Sequence, residues 1–268
     1  MNISFVGGGV MAEALMSGIL DANISTPDNI KVGEPDSNRR NYLMEKYSVH
    51  VSPENIDAIQ NADIILLAVK PQNVVEVMAG LTQNLTSEQT VLSIVAGTNL
   101  STLRNGLNHN LLIRVMPNTP AQIRAGMTVW TASKEVTKEK LSTSKDILKT
   151  LGEELYVDDE KLIDMATALS ASGPAYVFLF IEALIDSGVY MGLPRDVSRK
   201  LVLQTIQGST SLVQESGQHP AVLKDMVSSP GGGTVEALMA FEQSGFHGIV
   251  LEAVVSAYEK YQTLGKTK

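Results

Sequence analysis

Three glycines near the N-terminus have the spacing of a phosphate-binding turn. The segment reads ISFVGGGVMAEAL, so that Gly7, Gly9 and Ala12 match the pattern G-x-G-x-x-G/A of dinucleotide-binding folds. Gly7 permits a tight turn, Gly9 lets the backbone approach a pyrophosphate, and Ala12 keeps the next helix close to the sheet. An apolar run precedes the turn and helix-forming residues follow it, which is the context that this pattern requires. We therefore expect the N–H groups of this helix start to bind a dinucleotide, the alternative being a plain turn between strand and helix.

An acidic residue that bonds the ribose of NAD is expected in such folds at the end of the second strand. Glu34 stands there, after the short apolar segment Ile30–Val32. Arg39 and Arg40 follow closely, and arginine near this place accommodates the 2′-phosphate of NADP. Glu34 favours NADH, whereas the arginines favour NADPH unless they are ordinary solvated helix residues. The sequence leans slightly toward NADH and leaves both cofactors open.

Two loops that follow later apolar runs are candidates for the pocket of a nicotinamide enzyme, which lies at the carboxyl ends of the strands. AVKPQ (Ala68–Gln72) ends the run Ile64–Val69, and its Lys70 either bonds the cofactor or is solvated. RVMPNTPA (Arg114–Ala121) has two prolines that bracket Asn118 and the threonine after it. Proline fixes the backbone, so these two polar side chains are held in place. A stiff turn without a function in the site would contain the same residues.

A third loop, SSPGGGT (Ser228–Thr234), cannot lie inside a helix but precedes the helix-forming stretch Val235–Gln243. Glycines with free N–H groups at a helix start form an anion site, which suits a substrate carboxylate. Thr234 is expected near the N-cap. Its hydroxyl then caps the helix, contacts substrate, or does both.

The composition excludes several classes of function. The 268 residues have a net charge of −8 and include four histidines and no cysteine. Without cysteine there are no disulfides, thiolate nucleophiles or Cys-ligated zinc, and the acidic balance argues against a nucleic-acid partner. No spacing typical of a metal site occurs. We see no secretory leader and no apolar run of the ~18 to 20 residues that a membrane span needs, so we expect a cytoplasmic protein without membrane contact.

The elements that must position these residues differ between the two halves. Short apolar runs alternate with helical stretches in the first half, which predicts an α/β fold, a Rossmann-type domain over residues 1–160 with a doubly wound, mainly parallel sheet. From Lys161 onward no convincing strand occurs, and an all-helical domain is expected over residues 161–268. AYVFLFIEALIDSGVYMGL (Ala175–Leu193) is too apolar for one amphipathic face and suggests a helix buried on most sides, as in a subunit interface.

Taken together, the motifs resemble those of the pyrroline-5-carboxylate reductases in order and over essentially the whole chain. They are FVGGGVMAEAL, AVKPQ, SIVAGT (Ser93–Thr98), RVMPNTPA, LSASGPAYVFLFIEAL (Leu169–Leu184) and, most specific, LKDMVSSPGGGTVEAL (Leu223–Leu238). The chain departs from the family pattern at two places. Most members have threonine or alanine at the position of Gly233, and many have a short polar residue followed by arginine where this chain has Glu34 and Pro35.

The resemblance implies reduction of 1-pyrroline-5-carboxylate to L-proline by NADPH or NADH, the last step of proline biosynthesis. It implies that Thr234 is catalytic and that substrate is bound by Ser229, Gly231, Gly232, Gly233, Thr234 and Asn118. The cofactor-binding residues that it implies are Gly7, Gly8, Gly9, Val10, Met11, Ala12, Glu34, Arg39, Ala68, Val69, Lys70, Pro71, Ala96, Gly97 and Asn118.

The resemblance also implies a homodimer. In this family the helical half exchanges helices between subunits, the partner completes the substrate pocket, and larger assemblies of dimers occur.

Two other functions stay open on the sequence alone. A β-hydroxyacid-type dehydrogenase shares the two-domain plan and uses a lysine of the helical half; Lys161, Lys200 and Lys224 are available, but none lies in a recognisable motif. The other is a dinucleotide-binding regulatory protein that has lost catalysis. The intact RVMPNTPA and SSPGGGT loops argue against it, because neither is needed merely to bind a dinucleotide.

Overall fold

The computed structural model describes residues 1–264 of the chain and divides them into two compact units. One consists of Met1–Ser172 together with residues 257–264, and the other consists of Gly173–Ser256.

Eight strands form one sheet in the first unit. They are β1 (Ile3–Val6), β2 (Ile30–Gly33), β3 (His50–Ser52), β4 (Ile64–Leu67), β5 (Thr90–Ser93), β6 (Leu112–Met116), β7 (Gly126–Ala132) and β8 (Gly152–Tyr156). Their order across the sheet is β3-β2-β1-β4-β5-β6-β7-β8. Only the β6–β7 pair is antiparallel, so the fold is the mainly parallel α/β sheet that the sequence predicts.

The helices of this unit alternate with the strands. They are α1 (Val10–Asp21), α2 (Ser37–Tyr47), α3 (Asn55–Ile59), α4 (Val74–Leu81), α5 (Leu100–Leu107), α6 (Lys138–Lys149) and α7 (Lys161–Ala166). Short 3-10 helices lie at Pro27–Asn29, Pro71–Asn73 and Thr119–Ile123, and a π-helical turn follows α7 at Thr167–Ala171.

The strand β4 shows why the sheet is covered on both faces. All four residues of its IILL sequence are buried. Successive side chains of a strand point to opposite faces, and accordingly Ile64 and Leu66 belong to one core cluster while Ile65 and Leu67 belong to another. The first cluster includes apolar residues of α1, α2 and α6, and the second includes those of α3, α4 and α5. The continuous apolar run is therefore the sequence of a strand between two helical layers.

The chain reverses its direction of travel across the sheet at β1. From β1 it proceeds to β2 and β3 on one side and then returns to β4 on the other side of β1. In open α/β sheets, the crevice outside the carboxyl ends of the strands at such a switch point is the ligand-binding place. Because β1, β2, β4, β5 and β6 are parallel, the loops that follow them all lie at this edge.

The second unit is helical. It contains α8 (Gly173–Tyr190), α9 (Arg195–Ser216), α10 (Pro220–Met226) and α11 (Gly233–Gln243), and α12 (Phe246–Leu264) begins in it. Among the described residues after 160 there is no strand, as the sequence predicts.

Much of the apolar surface of the second unit is exposed in the single chain. On α8, Val177, Phe178 and Leu179 have 46%, 60% and 68% of their surface exposed. Within one chain, this helix is therefore not buried on most sides. The 30-residue helical run Lys161–Tyr190 contains an 18-residue window with a mean hydropathy of 1.6, so by length and composition alone it is long and apolar enough to cross a membrane. The expectation that no segment reaches that length is wrong, because a helix can interrupt its apolar run with a few polar or charged residues and still contain a window of sufficient mean hydropathy.

Several elements differ from the sequence prediction at their ends or were not predicted. The apolar run that begins at Ile64 continues to Val69, but the strand that it forms ends at Leu67. The strands β3 and β8, at the two edges of the sheet, were not predicted.

A buried arginine ties α7 to the sheet. Arg114, in β6, is 3% exposed, and its guanidinium donates to the Glu160 carboxylate at 3.0 Å and to that of Asp164 at 2.6 Å. The same Glu160 oxygen accepts the N–H of Leu100, the first residue of α5, at 2.7 Å. One ion-pair network thus joins β6, α5 and α7.

Arg114→Leu should lower the free energy of unfolding by about 3 kcal/mol, because it leaves two carboxylates without their buried partner. The matched control is Arg104→Leu, which breaks an exposed ion pair with Glu135 and should cost about 1 kcal/mol or less. Urea denaturation of the three proteins at one fixed protein concentration measures the difference. Equal losses for the two variants would contradict the role assigned to Arg114.

Candidate active site

The turn after β1 needs glycine at its first position. Gly7 has a φ of +96°, and its N–H donates to the carbonyl of Gly33 at 2.8 Å. A Cβ on Gly7 would lie 2.8 Å from the carbonyl oxygen of Ala68, a contact that real Cβ atoms do not make. The turn is thus pressed against the end of β4, as the sequence pattern predicts.

The third glycine of the turn faces open space. Gly9 is the N-cap of α1, and no side chain of the described residues caps this helix end. None of the described residues has an atom within 4 Å of the place that a Cβ on Gly9 would take. The first N–H groups of a helix, here those of Val10, Met11 and Ala12, have no acceptor within the helix. The positive end of the helix dipole and a backbone without a side chain fit a bound pyrophosphate.

The loops after β4 and β5 lie beside this turn at the same edge of the sheet. Ala68 and Val69 are half-buried, Lys70 is exposed, and Pro71 begins the short 3-10 helix. After β5, Ala96 and Gly97 are half-buried, and Gly97 has a φ of +73°. The structure therefore brings together the cofactor-binding residues that were predicted from three separate motifs.

Glu34 lies directly against the glycine turn. One oxygen of its carboxylate accepts the N–H of Gly8 at 2.9 Å, and the other accepts the N–H of Asp36 at 3.0 Å. The carboxylate thus occupies the place at the end of β2 where dinucleotide-binding folds hold the adenosine ribose.

The two arginines after Glu34 both bind backbone carbonyl groups. Arg39 donates from Nε to the carbonyl of Gly8 at 2.6 Å, and Nη2 lies 3.3 Å from the carbonyl oxygen of Gly9. Arg40 donates to the carbonyl groups of Glu34 and Pro35 at 2.8 and 2.7 Å. Neither arginine is an ordinary solvated helix residue.

A carboxylate that is not among the predicted site residues holds Arg39. Glu13, in the first turn of α1, accepts from Arg39 Nη2 at 2.6 Å and from Lys46, Tyr42 and Tyr47 at 2.9, 2.8 and 2.9 Å. Burial by itself would raise the pKa of Glu13, but the hydrogen bonds from these groups outweigh it and lower the pKa from 4.5 to about 2. The only signal in the sequence was an acidic residue in the first turn of a helix.

Asn118 has both ends of its amide engaged within the first unit. Its Oδ1 accepts the N–H of Met127 at 2.9 Å, and its Nδ2 donates to the carbonyl of Ser170 at 3.3 Å. Ser170 lies in the π-helical turn. Asn118 therefore fixes the RVMPNTPA loop to β7 and to the turn that precedes α8, and its predicted contact with substrate or nicotinamide stays a prediction.

The SSPGGGT loop lies in the second unit and is largely exposed. Gly231 has a φ of +69°, and the N–H of Gly232 donates to the carbonyl of Ser229 at 2.9 Å. The N-cap of α11 is Gly232, so Thr234 is the second helical residue and its exposed hydroxyl does not cap the helix. Thr234 thus lies near the N-cap, as predicted, but it is not the capping residue, because the helix begins at Gly233 rather than at Val235. The helix start that carries the three glycines is open to an anion.

Among residues 1–264, no group of three or more His, Asp or Glu side chains is placed to hold a metal ion.

Comparisons with known proteins identify the protein family of this chain. The family model for NADP oxidoreductases, coenzyme F420-dependent, matches residues 2–97, and the model for pyrroline-5-carboxylate reductase dimerisation matches residues 160–264. The pyrroline-5-carboxylate reductase of Synechocystis sp. is 44% identical over 266 residues, which are 99% of this chain and 99% of that protein. The chain belongs to the pyrroline-5-carboxylate reductase family. The dimerisation model further indicates a homo-oligomer.

More distant members of the pyrroline-5-carboxylate reductase family agree over the full length. The Escherichia coli protein is 38% identical, with 99% of each chain covered. The solved structure of Plasmodium falciparum pyrroline carboxylate reductase with NADP bound is 36% identical, has a TM-score of 0.90, and covers 99% of this chain and 98% of that chain.

Substitutions of Gly7 and Gly9 should separate folding from cofactor binding. Gly9→Ala keeps an ordinary φ of −65° and meets open space, so the stability should stay unchanged while the Kd for the dinucleotide rises at least about tenfold, because the methyl group lies where the pyrophosphate approaches. Gly7→Ala should cost roughly 2 kcal/mol or more of stability, because it adds a contact with Ala68 at a positive φ.

Thermal unfolding and a fluorescence titration with the dinucleotide measure the two effects for each variant. Undiminished affinity in Gly9→Ala would show that the dinucleotide does not approach this turn.

Proposed function

We propose that this protein reduces 1-pyrroline-5-carboxylate to L-proline with NADPH or NADH, the last step of proline biosynthesis. The observation that carries the proposal is the 44% identity to the Synechocystis reductase over essentially both chains. The open glycine turn at β1 and the exposed glycine loop before α11 support it, because they provide one site for a dinucleotide and one for a substrate carboxylate.

The substrate chemistry explains why no acid–base pair is needed. A cyclic imine takes up a proton near neutral pH, and its C5 is then electrophilic. The reduced nicotinamide supplies the hydride, the C=N electron pair becomes a lone pair on nitrogen, and that nitrogen takes up one proton to give the ammonium group of proline. The protein therefore has to orient the reactants, hold the carboxylate and exclude water.

The residues of the SSPGGGT loop are assigned to the substrate. The N–H groups of Gly233 and Thr234, at the start of α11, bind the carboxylate. Ser229, Gly231 and Gly232 shape the loop, because the Gly232 N–H already donates to the Ser229 carbonyl. The Thr234 hydroxyl hydrogen-bonds the ring nitrogen and, directly or through a water molecule, passes it the proton. A hydroxyl suits this position because it both donates and accepts.

The dinucleotide is assigned to the residues at the carboxyl edge of the sheet. The turn and first helical residues hold the pyrophosphate, Glu34 and Arg39 lie on the adenosine side, and the loops after β4, β5 and β6 lie on the nicotinamide side. These residues are Gly7, Gly8, Gly9, Val10, Met11, Ala12, Glu34, Arg39, Ala68, Val69, Lys70, Pro71, Ala96, Gly97 and Asn118.

A partner subunit, rather than lipid, is proposed to cover the exposed apolar helices. Within the second unit, side chains of α8, α11 and α12 line an apolar groove of about 390 Å³, among them Leu179, Phe180 and Phe246. The dimerisation model covers all of these helices. We therefore assign a homodimer with exchanged helices, able to assemble into a larger ring, in the cytoplasm and without contact with a membrane or a nucleic acid.

We assign the functional division to the point between residues 160 and 161, which lies within the first compact unit, since that unit extends to Ser172. The last strand ends at Tyr156, α7 begins at Lys161, and the dimerisation model begins at residue 160. Residues 1–160 then bind the dinucleotide, and residues 161–268 supply dimerisation and the substrate loop.

Turnover of 1-pyrroline-5-carboxylate tests the proposal directly. Purified protein, substrate and NADH or NADPH are mixed, and nicotinamide absorbance and proline are measured together. Oxidation of either cofactor with an equal amount of proline formed is the expected result. A folded protein that binds cofactor but forms no proline would overturn the proposal, and oxidation with a hydroxy acid instead would identify a dehydrogenase.

Thr234→Ala should lower kcat about 10- to 1000-fold without abolishing turnover, as is typical for the loss of one positioned polar group. Thr234→Ser keeps a hydroxyl and should retain most of the activity. The matched control is Thr143→Ala on α6. The Thr143 hydroxyl donates to the Glu139 carbonyl of the same helix, so this variant should leave kcat unchanged. An unchanged kcat in Thr234→Ala would remove Thr234 from the mechanism.

A further inference from the structure

We infer that Glu13 is a positioning residue that gives this protein a preference for NADH over NADPH. It holds the Arg39 guanidinium on the glycine turn and leaves the Glu34 carboxylate as the group that meets the adenosine ribose. The inference rests on the proposed function only in requiring that the protein binds a nicotinamide dinucleotide.

Arg39 is bound on several sides by groups of the protein. Its guanidinium donates to the carbonyl groups of Gly8 and Gly9 and to the Glu13 carboxylate, at 2.6, 3.3 and 2.6 Å. One face of the guanidinium lies 4.9 Å from the centre of the Tyr42 ring. To pair with a 2′-phosphate, Arg39 would have to give up some of these contacts. One of them is the ion pair with Glu13, whose side chain is only 17% exposed.

Glu13 is itself held firmly. Its second carboxylate oxygen accepts from the Lys46 ammonium and from the hydroxyl groups of Tyr42 and Tyr47, all within 2.9 Å. The lowered pKa of Glu13, about 2, keeps it ionised at any pH at which the enzyme works. Because Glu13 belongs to α1 and its partners are spread from the first turn of α2 to its last residue, the cluster fixes α2 along most of its length against the helix that begins at the glycine turn.

The second arginine is also engaged with the backbone. Arg40 donates from Nη1 to the carbonyl groups of Glu34 and Pro35, on the segment between β2 and α2. It therefore stabilises the path of the chain on which Glu34 stands.

Glu34 then faces the glycine turn with its carboxylate. It accepts the N–H of Gly8 at 2.9 Å, at the place where the ribose 2′-hydroxyl of NAD finds an acidic acceptor in this fold. A carboxylate accepts several hydrogen bonds and suits a ribose diol, whereas a 2′-phosphate at the same place meets a like charge.

The affinity ratio of the two cofactors tests the inference, because NADH and NADPH differ only in the 2′-phosphate. We expect the Kd for NADPH to exceed that for NADH at least about tenfold in the unaltered protein. Glu13→Gln should free Arg39 and lower this ratio about fivefold or more, mainly through tighter binding of NADPH. Merely loosening the turn would weaken both cofactors alike and leave the ratio unchanged.

Three further variants complete the design. Glu45→Gln makes the same charge change on the exposed side of α2 and should leave the ratio unaltered. Adding Arg39→Leu to Glu13→Gln should cancel the gain in NADPH affinity. Glu34→Gln should lower the ratio independently, and it keeps the inference testable if Glu13→Gln does not fold.

Titrations of both dinucleotides, followed by kcat/KM for each in turnover of 1-pyrroline-5-carboxylate, give the ratios. Equal or tighter binding of NADPH by the unaltered protein, or an unchanged ratio in folded Glu13→Gln, would overturn the inference. Binding of NADH without proline formation would instead overturn the proposed function and leave the role of Glu13 standing.

Discussion

The close approach of the turn after β1 to the end of β4 is the constraint on which the candidate site depends. Gly7 lies against the Ala68 carbonyl, where any side chain would overlap it. That contact sets where α1 begins relative to the carboxyl edge of the sheet. Parallel pairing of β1 with both β2 and β4 then brings Glu34 and the later loops to the same edge. The dinucleotide site thus follows from one backbone contact and a shared strand direction.

Much of the sheet could be predicted because its central strands carry their own signal. The runs ISFV and IILL are buried along their whole length, and burial on both faces requires an unbroken apolar sequence. The edge strand β8 reads GEELY and carries no such signal. It is held by backbone pairing with β7 and by Glu154, which accepts from the Trp130 indole at 2.6 Å. These interactions depend on a neighbour that is distant in sequence, so no local pattern predicts them.

The candidate site divides in the same way. Gly7 was predictable because the positive φ that it adopts restricts the residue type. The hydrogen-bond partners of polar side chains could not be predicted in this way. The Asn118 amide, for example, binds Met127 and Ser170, which are 9 and 52 residues away. The two arginines after Glu34 show the difference most clearly. Their presence in the sequence favours NADPH. In the structure they bind backbone carbonyl groups, and Arg39 also binds Glu13, which favours a role in holding the glycine turn and the segment after β2.

The second unit buries very little of its own apolar surface within a single chain. Among Gly173–Ser256, only Gly188 and Ser198 are buried, although α8 carries some of the most apolar sequence in the protein. A unit with so small an interior of its own gains little hydrophobic stabilisation from a single chain, because that stabilisation follows the apolar area removed from water. The proposed partner subunit would supply the missing interior. The stability of the unit that carries the SSPGGGT loop would then depend on protomer concentration, as in obligate oligomers.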